Sequence, residues 1–292
     1  MEGLAPIDHW VALAVIAKAA GYGAALLAMG GPLFAVAFPR ASVDVLGLAQ
    51  RVAVIAALAA LVVLALRFGI RAARISGMGL SGALDPVMLG FVWESPLGTA
   101  ALWQAGGALM IIAWLMRGRV GLGIALLGTL LIGLSFTFVG HSLGDPPALL
   151  AGLLTAHLLA AAFWVAALPP LFRAVQDTGG AALLHRFGHI AAVTVSVLVA
   201  AGLVFAWLMT GSLVGLFTTA YGWTLLAKLA LVAGLMALAA LNKWRLVPAL
   251  ATGMPRAGIR LRRSILVEAI AVALILLATA ALTSVTTPPV NL

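Results

Sequence analysis

Eight stretches of this chain stay apolar for long enough, about 20 residues each at helical rise, to cross ~30 Å of hydrocarbon. They fall at residues 9–38, 46–70, 96–116, 120–140, 148–172, 187–210, 222–242 and 264–285. Hydrocarbon offers no partner to backbone N–H and C=O groups, so a chain that crosses it repeatedly folds as helices or as a closed barrel. Runs this long and continuous select helices. The fold class is therefore an all-α integral membrane protein of eight transmembrane helices, a single membrane domain over residues 1–292. Punctuation supports the cuts: Pro39-Arg40, Arg117-Gly118-Arg119, Gly144-Asp145-Pro146-Pro147, Gly179-Gly180 and Gly253-Met254-Pro255 each interrupt an apolar run.

Composition agrees and excludes other classes. With 64% hydrophobic and 9% charged residues and a mean hydropathy of +1.19, the chain cannot bury its apolar side chains in one water-soluble core. The +9 formal charge reflects arginines in short loops and carries no nucleic-acid signature. Absence of cysteine removes disulfides, thiolate nucleophiles and iron–sulfur ligation, leaving His, Met, carboxylate or backbone oxygen for any metal. No Walker, HExxH, GxSxG or dinucleotide motif stands in a suitable context, so an enzyme or an ATP-driven pump is not expected. The acidic segment Met1 to Asp8 precedes a first run too long for a signal peptide, and that helix is expected to remain in the protein.

Basic residues orient the helices. Arg40, Arg51, Arg117, Arg119, Arg173, Arg186, Lys243, Arg245, Arg256, Arg260, Arg262 and Arg263 gather on one face, which is expected to be cytoplasmic. Arg67, Arg71 and Arg74 fall on the opposite face with most of the acids, and fit only if the second helix continues past the bilayer. Both termini are then periplasmic. Trp10, Trp93, Trp207 and Trp223 are expected at the outer boundary, Trp114 and Trp244 at the inner one.

The halves echo each other. Leu48, Gln50, Arg51, Ile55, Ala56 and Ala57 reappear at the same spacing as Leu183, His185, Arg186, Ile190, Ala191 and Ala192. Gly98 and Gln104 correspond to Gly222 and Lys228, and GGPLF ending at Phe34 resembles LPPLF ending at Phe172. Helix n matches helix n+4, and an even shift preserves orientation, so two parallel four-helix repeats are expected, residues 1–143 and 144–292.

Chemistry must come from polar residues in the membrane, where each costs ~2.5–3.5 kcal/mol unless paired. His157 lies about ten residues into the fifth run, near mid-membrane; it reads either as a metal ligand or as an imidazole bonded to helix backbone. His141 ends the fourth run at its outer mouth. His185 and His189 share a helical face at i, i+4, as ligation needs, although an ordinary polar helix end accounts for them equally well. His9 begins the first run. Met78, Met88 and Met209 fall on the outer side, and thioether sulfur suits Cu(I). Lys18, Lys228, Glu268, Arg186 and Asn242 read as structural pairs or relay groups, Glu268 pairing with Arg262, Arg263, Asn242 or Lys243.

The runs YGWTLLAKLALVAGLMALAALNKWRLVPAL from Tyr221 and LRRSILVEAIAVALILLATAALTSVTTPP from Leu261 resemble the copper-resistance protein D (CopD) family of bacterial inner-membrane proteins. VGHS around His141, HLLAAAFWVAALPPL from His157 and HRFGHIA from His185 are similar to further family stretches, as are AGYGAALLAMGGPLF and SPLGTAALW in the first half. The resemblance implies eight membrane helices, periplasmic termini and movement of copper from periplasm to cytoplasm, with His141 and His157 as the positions to carry over. It departs in two places. No attached periplasmic copper-binding domain is expected, and a separate copper-binding protein is expected as partner beside the lipid bilayer. Leu153-Leu154-Thr155-Ala156 stands where an acid often precedes the histidine. Two alternatives to transport stay open at this stage: a haem-binding membrane cytochrome, and a copper-binding assembly factor.

Overall fold

A computed structural model describes residues 8–116, 118–139, 147–210 and 212–285. Eight helices are long and apolar enough to cross a membrane, and no strand occurs among the described residues. They are α1 (His9–Ala37), α2 (Val43–Ser76), α3 (Pro96–Ile112), α4 (Arg119–Ser135), α5 (Pro147–Ala174), α6 (Gly180–Thr210), α7 (Ala220–Leu241) and α8 (Ala257–Val285).

Polar caps set where several of these helices begin. The Asp8 carboxylate accepts from Val11 N at 2.7 Å, and hydroxyls of Ser42, Ser95 and Thr219 accept from Val45, Leu97 and Gly222. Each supplies one acceptor to N–H groups that have no intrahelical partner. Pro96 follows Ser95 at the first turn of α3, where its missing N–H removes no bond. Gly77 closes α2 in the left-handed region at φ 67°, which a residue without Cβ adopts freely.

Several helices extend beyond the runs read from hydropathy. α2 continues six residues past the expected end to Ser76, and its 34 residues span ~51 Å against ~30 Å of hydrocarbon. That excess length places Arg71 and Arg74 near or beyond the bilayer edge. α6 begins at Gly180 instead of 187, so His185 and His189 lie inside its first turns. α7 passes through a π-helical segment, Asn242–Leu246, into a short helix, Val247–Ala251. Two short helices, Leu80–Ala83 and Pro86–Glu94, occupy what reads in sequence as loop. Trp114 corrects the aromatic-belt assignment: it is buried against α2, where Gln50 donates to its carbonyl at 2.6 Å, whereas Trp93, Trp207, Trp223 and Trp244 are exposed as a belt requires.

Lipid is as apolar as leucine, so helices in it associate through close packing of small residues. α1 is the centre of the bundle, packed on α2, α4, α5 and α8. It approaches α5 at Gly30, where an added methyl would collide with the Ala162 carbonyl and the Ala166 methyl. Gly107 on α3 and Gly128 on α4 meet in the same way. The buried faces form three clusters among the described residues, one around Phe34, Phe38, Phe163 and Trp164, one around Met29, Ala57, Ile111 and Ile132, and a small one of Tyr221, Leu225 and Leu282. Packing is uneven along the chain: α6 and α7 are the least enclosed spans.

At the arginine-rich end the loop after α1 meets the loop after α5. Arg173 pairs with Asp177 at 2.6 Å and with Asp44 at 2.9 Å, and Ser42 donates to Asp177 at 2.7 Å.

The Gly30 approach gives a direct test of the α1–α5 contact. Gly30→Ala should destabilise the protein by about 1–3 kcal/mol or prevent its folding, because the neighbour is rigid backbone. Gly23→Ala should be neutral, since its new methyl would meet only the flexible end of Leu276 at 3.5 Å. Thermal melting of the two purified variants in one detergent separates these outcomes.

Candidate metal site

The histidine near mid-membrane is fixed by its neighbours on α6. His157 Nδ1 lies 3.1 Å from the Leu198 carbonyl, and the ring edge packs over Gly202. A carbonyl only accepts, so Nδ1 carries the hydrogen and the lone pair of a neutral ring resides on Nε2. Metal-binding imidazoles are oriented in this way, with one nitrogen donating to a carbonyl and the other left to coordinate. Lys228 on α7 stands within electrostatic range of His157. It is a second polar group turned into the α5–α6–α7 side of the bundle.

Deeper interior positions on the α1 side are filled by sulfur and hydroxyl. Met29 is fully buried and its sulfur faces Gly133, close to the methyl of Thr155. Thr129 donates to the Met29 carbonyl at 3.1 Å, and Thr155 bonds to the Ala151 carbonyl of its own helix at 2.8 Å.

The other candidate residues are distributed along the membrane normal. His185 and His189 have ring centroids 4.6 Å apart in an edge-on arrangement, with His189 Nδ1 3.0 Å from the His185 carbonyl. Nine residues of α6 separate His189 from Leu198, ~14 Å along the axis, so this pair and His157 form different stations. Both rings are exposed at the arginine-rich end. Beside them Arg186 lines an open cleft of about 520 Å³ with Arg40, Asp44 and Asp177. His9 packs against Trp10 at the opposite end, with Trp10 3.9 Å from the position a Gly79 methyl would take. This brings the start of α1 beside the Met78–Gly79 turn. Met78 is exposed and Met88 half-buried. His141 lies outside the described residues, as does the side chain of Met209, and among the described residues no group of three or more His, Asp or Glu side chains comes together.

Two polar clusters hold the remaining residues. Toward the end opposite the arginine-rich loops, Lys18 donates to the Thr283 carbonyl at 2.8 Å and approaches the Ser284 hydroxyl at 3.3 Å, tying α1 to the end of α8. Arg67 turns inward beside Gly21 and Tyr22, and Arg71 and Arg74 continue the same basic stripe. The second cluster is buried in the half near the arginine-rich loops. There Asn242 Nδ2 donates to Glu268 Oε1 at 2.7 Å, which selects asparagine from the partners expected for Glu268. Arg262 lies over the Phe172 ring at 4.1 Å. The Trp164 indole N–H faces the same carboxylate without reaching hydrogen-bond geometry.

Sequence reading missed Gly202, Leu198, Trp164 and Ser264. One signal was available: Trp164 follows His157 by seven residues, two helical turns, and so shares its face of α5.

Family models match both halves of the chain. Residues 7–149 match a copper resistance protein D-like N-terminal domain, and residues 181–282 match copper resistance protein D. No curated protein and no solved structure matches it. With these two matches on an eight-helix apolar bundle, the chain belongs to the copper resistance protein D family, multi-pass membrane proteins associated with copper resistance and transport.

Proposed function

We propose that this protein carries copper from periplasm to cytoplasm across a bacterial inner membrane, with His157 as the mid-membrane ligand. In this reading residues 1–143 and 144–292 are parallel repeats, both termini are periplasmic, and the arginine-rich end faces the cytoplasm. The observation that carries it is the Nδ1 contact with Leu198, which leaves His157 Nε2 as the coordinating lone pair beside the least enclosed helices. Imidazole and thioether without thiolate favour Cu(I) as the transported species. His9, His141, Met78, Met88 and Met209 are the outer collecting groups, supplied by a separate periplasmic copper-binding protein, and His185 and His189 are the inner station. Lys228 tempers affinity at His157 by charge repulsion, so that a bound cation also leaves.

A six-coordinate, cytochrome-type haem at His157 would need a second axial ligand at its level. Among the described residues, His185 and His189 stand ~14 Å or more away along α6 and do not supply it. Protein purified from haem-replete cells is accordingly expected to show no Soret band.

Cells producing a His157→Ala variant should accumulate several-fold less copper than cells producing wild type at equal membrane abundance; equal accumulation removes His157 from the path. Gly202→Ala should behave as wild type, because the added methyl would meet the imidazole at 3.5 Å, an ordinary contact. Gly202→Leu should turn the ring away from Leu198 and reproduce the loss.

Because the chain contains no cysteine, single cysteines report topology without background. A membrane-impermeant maleimide added outside spheroplasts should label Met78→Cys and leave Thr178→Cys unlabelled. The reverse pattern inverts the orientation.

A further inference from the structure

Four buried side-chain polar atoms lack a hydrogen-bond partner among the described residues: Trp164 Nε1, Asn242 Oδ1, Ser264 Oγ and Arg262 Nε. Three of them surround Glu268. Asn242 already donates to Glu268 Oε1, Trp164 faces the same carboxylate from α5, and Ser264 lies one turn before it on the same face of α8. Trp164, Asn242, Ser264 and Glu268 are 5–9% exposed, so water at the surface does not serve the polar atoms around the carboxylate. Ser264 is unusual in this chain. Thr155, Ser196, Thr210, Thr224 and Thr279 all return their hydroxyls to the carbonyl four residues earlier, whereas Ser264 does not.

Charge sharpens the point. Glu268 forms no ion pair among the described residues. The ionisable groups on the elements packed against α8 point elsewhere. Lys18 on α1 is held at the far end of α8, and Arg173 on α5 is engaged by Asp44 and Asp177. His157 on α5 is bonded to α6, while Lys228 on α7 lies near His157. Lys243 and Arg245 lie within the π-helical segment, with the Lys243 stem along Gly188 of α6; Arg260 and Arg263 lie nearer the start of α8, and Arg262 rests on Phe172. A carboxylate in hydrocarbon without a counter-charge is costly, by several kcal/mol or more.

We propose that Glu268, Asn242 and Ser264 form a binding site for one small hard monovalent cation, Na⁺ or a proton, distinct from the imidazole site. The carboxylate supplies charge, and the amide and hydroxyl oxygens supply the neutral ligands that a hard cation prefers and Cu(I) does not. The π-helical turn opening at Asn242 presents that amide, and such turns recur at functional sites. In the proton case hydronium gives its proton to Glu268, forming an O–H bond that Ser264 or Asn242 accepts, and water leaves. Trp164 lies two turns, ~10 Å, from His157 on one face of α5, so this cation site is a separate station from the imidazole. The proposal does not depend on copper passing that station.

Thermal melting of purified wild type and Glu268→Gln, compared as a difference so that groups common to both cancel, tests it. One arm titrates NaCl against choline chloride at pH 8 and constant ionic strength; the other titrates pH from 8 to 5 without sodium. Stabilisation present in wild type and absent from Glu268→Gln identifies Na⁺ in the first arm or a proton in the second, and either supports the site. Identical responses of the two proteins in both arms overturn it. Should Glu268→Gln not fold, Ser264→Ala keeps the carboxylate and should raise the half-saturating cation concentration about tenfold, one pH unit in the proton arm. An unchanged midpoint in both arms for Ser264→Ala likewise overturns the proposal.

Discussion

Every polar group placed in hydrocarbon must find its partner within the protein, and this requirement organises the structure from backbone to site. It imposes helices on the eight apolar runs and draws capping side chains to helix starts. It also explains where the membrane-embedded polar residues point. Lys18 reaches the last carbonyls of α8, Gln50 reaches the carbonyl of Trp114, and His157 reaches Leu198 on a neighbouring helix. Each of these contacts also joins two segments that lipid alone would not hold together.

The two halves of the chain use that rule differently. The helices of the first half pack tightly, with Gly107 against Gly128 and Gly31 against Ala53. In the second half α6 and α7 are less enclosed, and they carry His185, His189 and Lys228 among their polar residues. In the proposed transport reading, a tightly packed half beside a looser one carrying imidazole would give a cation somewhere to move without asking the whole bundle to rearrange. The Arg173–Asp44 ion pair and the Ser42–Asp177 hydrogen bond join the two at one end.

Much of this was legible in sequence because hydropathy reports length directly. All eight spans were readable, and the family resemblance agrees with the models that match 7–149 and 181–282. Helix ends were less legible. Arg71 and Arg74 look like loop residues to a hydropathy scale, yet they continue α2 because its exposed end lies where arginine is solvated. Trp114 has the composition of a belt residue and is buried, since burial depends on which face of a helix meets its neighbour. Glu268 offered several partners by spacing alone, and only side-chain geometry selects Asn242. Ser264 and Gly202 carry no signal in isolation; they matter through the atoms that face them.

Copper transport as proposed requires His157 Nε2 to be a copper ligand. X-ray absorption at the copper edge, recorded on Cu(I)-loaded purified protein, reads that bond directly. A low-Z nitrogen shell with imidazole outer scattering, present in wild type and lost in His157→Ala, is the predicted result. An unchanged spectrum in the variant at equal copper loading would contradict the claim.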